Sequence, residues 1–148
     1  MRLGLLASLI ACLALAGCVF NPFEAIEPHY VNAERLTLDA IRPVAMNYVL
    51  ADTTIDLDTR EERIGQLRKW ETHVVDGELD NTKIAKPDYL RAERDAFDKI
   101  TPWYLAYITD DPGLTDAEKQ TKADTVLSWD FRLKRAESAA GLRGPPDE

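Results

Sequence analysis

Three acidic positions recur at one separation along the chain: Glu34 with Glu93, Asp39 with Asp98, and Asp52 with Asp111, each pair 59 residues apart. Carboxylates that meet across a symmetry axis can hold a cation or act as an acid–base pair, so these residues are the first candidates for chemistry. Their neighbours argue for a plainer role. Arg35 and Asp39 stand four apart, as do Arg94 and Asp98, which is the spacing of an ion pair along one helix. Asp52 and Asp111 fall in turn-forming stretches, where aspartate caps backbone N–H groups. A carboxylate beside an arginine also stays ionised, which is wrong for a general acid. The expectation is that the acids lie on solvated faces next to arginine. An enzyme built on them requires instead that they converge in a pocket with raised pKa values.

The remaining inventory is short. Beyond position 18 the chain holds two serines, Ser128 and Ser138, and two histidines, His29 and His73, which the 59-residue shift does not superimpose. There is no H-E-x-x-H, no G-x-S-x-G, no Gly-rich phosphate loop and no Cys/His metal spacing. The sequence therefore assigns no catalytic residue, no metal ligand and no cofactor, and both histidines read as surface or hydrogen-bonded side chains. Trp70 and Trp129 do superimpose, and if exposed they are the candidate partner-binding residues. At helical spacing within an apolar stripe, core packing is the default for them, as it is for Tyr48 and Tyr107.

The elements that must position these residues come in two copies. "PHYVNAER" at 28–35 matches "PDYLRAER" at 87–94, and eleven identities fall between 28–74 and the stretch 59 residues on. A repeat of this length dictates the architecture. Each copy reads as two helices. The first opens on Pro28 or Pro87, where a missing N–H costs nothing. Its apolar face runs through Tyr30, Ala33, Thr37, Ile41, Val44 and Tyr48, or through Tyr89, Ala92, Ala96, Ile100, Trp103 and Tyr107. Pro43 and Pro102 lie inside these helices, where a kink is expected. After a turn, the second helix shows capping-box pairs, Thr59 with Glu62 and Thr115 with Glu118. Its stripe is Ile64, Leu67, Trp70 and Val74, or Ala123, Val126, Trp129 and Leu133.

A hairpin of this kind cannot bury its stripe alone. The pattern predicts an all-α fold, in which two duplicated helical hairpins form a four-helix bundle with pseudo-twofold symmetry. Repeat 1 spans about 28–78 and repeat 2 about 87–137, within a folded domain of 28–140. The stretch 76–86, "DGELDNTKIAK", reads as a polar link, and 141–148 as a flexible tail.

The chain opens "MRLGLLASLIACLALAGC": one cationic residue, then an apolar run ending in Leu15, Ala16, Gly17 and Cys18. These last four residues resemble the lipobox of bacterial lipoproteins. That resemblance implies a signal peptide over 1–17, lipidation and palmitate at Cys18, and a short lipidated tether over 18–27. Each buried CH2 of the acyl chains contributes about 0.8 kcal/mol, so such a membrane anchor is effectively permanent. Val19, rather than an aspartate, follows the cysteine, which favours the outer membrane in a Gram-negative source. The domain would then face the periplasm or the cell surface.

Past Cys18 the side chains carry 17 basic and 26 acidic residues, about −9 in all. An acidic surface gains nothing from counterion release, which argues against nucleic acid as a partner. The sequence-level expectation is a non-enzymatic lipoprotein that contacts an unknown envelope protein, as an interaction or envelope-tethering module. Two alternatives come from other classes: a phage-type outer-membrane spanin in lysis, and an envelope hydrolase using the repeated carboxylates.

Overall fold

A computed structural model describes residues 27–84 and 86–142. The signal peptide, Cys18, the tether up to residue 26 and residues 143–148 lie outside the described residues. Four helices follow in order: α1 (Glu27–Ala51), α2 (Leu57–Leu79), α3 (Pro87–Asp110) and α4 (Asp116–Ala139), with a 3-10 turn at Asn81–Lys83. Each helix packs on its neighbours in the chain, and α4 closes the ring against α1. This is the all-α four-helix bundle that the duplicated stripes demand.

Local chemistry sets the helix ends. Pro87 opens α3, and Thr115 caps α4 in a reciprocal box with Glu118. The cap of α2 is Asp56, whose carboxylate accepts from the Thr59 N–H at 2.7 Å. The reading of Thr59 as a cap is corrected accordingly: Thr59 sits inside the first turn. Asp56 is the residue 59 positions before Thr115, so the duplication itself held the right register. Helices α1 and α3 run on through Pro43 and Pro102. Gly141, at φ 70°, ends α4 with Leu142 N–H bonded to the Glu137 carbonyl and Gly141 N–H to that of Ser138. A left-handed residue with that pair of bonds is a Schellman stop.

The link at 76–86 is more structured than its polarity suggests. Helix α2 continues to Leu79, which lets Glu78 bind Arg35 of α1, and Ile84 beyond it is fully buried. The equivalent pair in the second copy, Arg94 with Glu137, is also made.

The buried face of the first helix of each copy is offset by one residue from the apolar stripe. In α1 it runs Tyr30, Glu34, Leu38, Ile41, Ala45 and Val49, while Ala33, Val44 and Tyr48 flank it half-buried. In α3 it runs Tyr89, Glu93, Phe97, Ile100, Tyr104 and Ile108. These two series match position for position at a spacing of 59, as do Leu67, Trp70 and Val74 with Val126, Trp129 and Leu133. Equivalent residues that touch each other must straddle the pseudo-twofold axis. Tyr48 and Tyr107 do so at one end, stacked with ring centroids 5.3 Å apart. Glu34 and Glu93 do so about 21 Å away along α1, toward its N-terminal end.

Candidate metal centre

All four helices contribute to the layer around Glu34 and Glu93. Both carboxylates are fully buried, and His73 of α2 approaches them with its side chain 15% exposed. Its Nε2 lies 3.2 Å from Glu93 Oε2 and 3.9 Å from Glu34 Oε1. One donor atom from each of the three residues falls within 4.8 Å of the others. Ions of the zinc class sit about 2.0–2.2 Å from nitrogen and oxygen ligands, so a small closure brings these atoms around one ion.

Aromatic side chains fix the orientation of both carboxylates. The indole N–H groups of Trp70 and Trp129 donate to the same oxygen, Glu93 Oε1, at 2.9 and 3.1 Å. That arrangement turns Oε2 toward His73. Glu34 receives the Tyr89 hydroxyl, 3.0 and 2.9 Å from its two oxygens, and the Tyr89 ring stacks on His73 at 3.9 Å. The hydroxyl reaches this position because residue 77 is glycine: a Cβ there would overlap it. Such supporting contacts hold metal ligands in place in many proteins.

Three buried polar atoms of this layer have no hydrogen-bond partner among the described residues: Glu93 Oε2, His73 Nε2 and the Tyr30 hydroxyl. Buried polar groups are nearly always satisfied, and here a proton shared between Glu34 and Glu93, or a cation in its place, would provide the partner. Electrostatics agree. Burial, then the charge of Glu93, raises the Glu34 carboxyl to about 10, and burial also pushes Glu93 up. Burial lowers the His73 imidazole to about 4, so at neutral pH it is uncharged with a lone pair to give. The layer can share protons between its acids or exchange them for a cation.

The structure separates the sequence candidates. Glu34 and Glu93 converge in the interior, where solvated positions beside arginine were expected. Their flanking arginines turn to other acids instead, Arg35 to the partly exposed Glu78 and Arg94 to the buried Glu137. Asp39 and Asp98 do remain exposed beside Arg35 and Arg94. Asp52 and Asp111 hold their turns and accept from Tyr107 and Tyr48 across the axis at 2.7 and 2.6 Å. Two bonds from Thr54, through its hydroxyl and its backbone N–H, and the one from Tyr107 hold Asp52 down at about 2. This acidic end is therefore satisfied internally.

Trp70 and Trp129, the candidate partner-binding residues, are sealed in the core at 0% and 1% exposure, so neither presents a docking surface. Their apolar rings fill the bundle and their N–H groups serve Glu93. Sequence reasoning missed His73 because it has no equivalent in the other copy: Arg132 stands there. His29 is exposed.

Two grooves flank the layer. One, of about 450 Å³ between α2 and α3, is lined by Gly65, Lys69, Ala92 and Ala96 and contains His73. The other, of about 410 Å³ between α4 and α1, is lined by Asp124, Ser128, Ala33 and Thr37 and contains Arg132. Position by position these are the same groove, 59 residues apart. Comparison with protein-family models, curated proteins and solved structures finds no match for the chain, so its chemistry is argued from this geometry.

Proposed function

We propose that the protein is a lipid-anchored envelope module that binds one divalent first-row transition-metal ion through Glu34, His73 and Glu93. One observation carries the reading: Glu93 Oε2 and His73 Nε2 face each other at 3.2 Å, buried and without hydrogen-bond partners, beside a second buried carboxylate. Two carboxylates with an imidazole suit zinc, iron(II) or manganese(II) better than calcium or magnesium, which favour all-oxygen shells. A bundle interior is a common place for such a site, since facing helices supply ligands at matched heights. The divalent charge replaces the proton that burial otherwise keeps on the acid pair.

The module is a binding protein in this reading; its lipobox-type start supports a membrane anchor, and Val19 favours the outer membrane. A tether of nine residues after Cys18 reaches at most about 30 Å. The metal layer lies toward that end of the bundle, so the site stays close to the lipid surface and at high effective concentration for partners there.

Full-length protein in detergent, titrated with Zn²⁺, Mn²⁺ and Co²⁺ by calorimetry, should take up one equivalent. Glu93→Gln should weaken uptake by at least about 100-fold. Absence of stoichiometric binding, or uptake indifferent to Glu93→Gln, overturns the metal site. Palmitate labelling that survives Cys18→Ser overturns the anchor.

A further inference from the structure

We propose that the metal ion keeps a coordination position open toward the α2–α3 groove, and that this groove admits a small anionic ligand, of azide or carboxylate type, to the ion. The proposal rests on the metal reading above and adds a ligand to it. Three protein ligands leave a zinc-class ion at least one position short of its usual shell, and such open positions take water or an external ligand. Among the described residues, His73 is the ligand that lines a surface groove, although its Nε2 atom is itself buried. Glu34 and Glu93 have no exposure, so the groove is the approach on which a ligand residue borders.

Small residues keep that approach clear. A Cβ at Gly65 would meet nothing within 4 Å, and Ala92 and Ala96 face it from α3. At about 450 Å³ the groove falls within the range of small-molecule sites, roughly 300–1,000 Å³. The groove lining carries two acids and two lysines: Asp95 is paired with Lys99 at 2.6 Å, and Glu62 stands at the far end of the helix face that bears His73. Lys69, one helical turn before His73, has no ion-pair partner among the described residues and is the cation nearest that ligand in the chain. In the equivalent groove Asp124 replaces Gly65, Ser128 replaces Lys69 and Arg132 replaces His73. That groove has neither the free lysine nor a metal ligand.

The test uses full-length protein loaded with Co²⁺, whose visible bands report its coordination, titrated with azide and then acetate. A saturable spectral shift is expected. Ala92→Leu, which fills the groove from an exposed position, should leave Co²⁺ affinity unchanged and weaken azide at least about tenfold. Asp124→Leu in the equivalent groove should leave both unchanged. Gly65→Leu offers a second block should Ala92→Leu perturb folding. Bound Co²⁺ that ignores both anions, or an azide response equal in wild type and both filled variants, overturns the open position while sparing the metal site. Failure of Co²⁺ to bind removes the metal reading, and this proposal with it.

Discussion

The α2–α3 groove and the α4–α1 groove began as the same piece of structure and now differ at the residues that matter. Both run between a first and a second helix of the repeat, and both are walled by small side chains from the first. One holds a neutral imidazole against the buried acids; the other holds the guanidinium of Arg132. The acids themselves diverged less, but their partners did: both indoles serve Glu93, while Glu34 takes a tyrosine hydroxyl. Duplication across an axis brings two like carboxylates together automatically. Only an asymmetric change supplies the third, different ligand and an open side.

Making the grooves alike is the strongest way to break this comparison. His73→Arg copies the other side and should abolish metal uptake, lowering affinity by at least about 100-fold. The converse, Arg132→His, offers a second imidazole from the equivalent position and should raise affinity roughly tenfold. Zinc calorimetry on both variants checks the pair; an indifferent His73→Arg would show that the two sides are not functionally distinct.

A smaller effect is expected at position 77. Its equivalent is already Ala136, yet a Cβ at Gly77 overlaps the Tyr89 hydroxyl. Gly77→Ala should therefore cost about 1–3 kcal/mol despite better helix propensity, because Tyr89 must leave Glu34. Urea unfolding of the metal-free protein measures this, and a stabilised variant would show that Tyr89 has room to move.

A pH series sharpens the contrast between the acid pair and the imidazole. In the metal-free protein the unfolded chain gains a proton on His73 that the fold resists as pH falls from 6.5 toward about 4. It loses one from Glu34 that the fold retains as pH rises from 4.5 toward about 10. The sign follows: the His73 contribution is lost on the acid side, and those of Glu34 and Glu93 are lost on the alkaline side. The alkaline limb should fall by about 1.4 kcal/mol per pH unit for each proton retained. Glu34→Gln should flatten that limb in urea midpoints taken across pH 5, 7 and 9; a slope left intact would move the retained proton elsewhere.

Much of the fold was legible because its signals are local. The repeat, the Thr115 cap, the opening prolines and the tryptophan stripes all sit in short windows whose periodicity reports one buried face. The site was less legible. An apolar pattern passes over a buried carboxylate, so the stripe was drawn through Ala33 and Ala92 when the inward positions are Glu34 and Glu93. The arginine beside each acid suggested an ionised surface pair, yet on a helix adjacent residues point about 100° apart, and the two side chains go to different surroundings.

The sequence by itself determined that two copies of a helical hairpin exist and that each must bury its stripe against the other, since periodic hydrophobicity is a property of the chain. Only the tertiary structure decided that Glu34 and Glu93 meet, that His73 joins them and that Arg132 does not. Those facts depend on which helix faces lie nearest the pseudo-twofold axis, and that is set by packing between residues far apart in the chain.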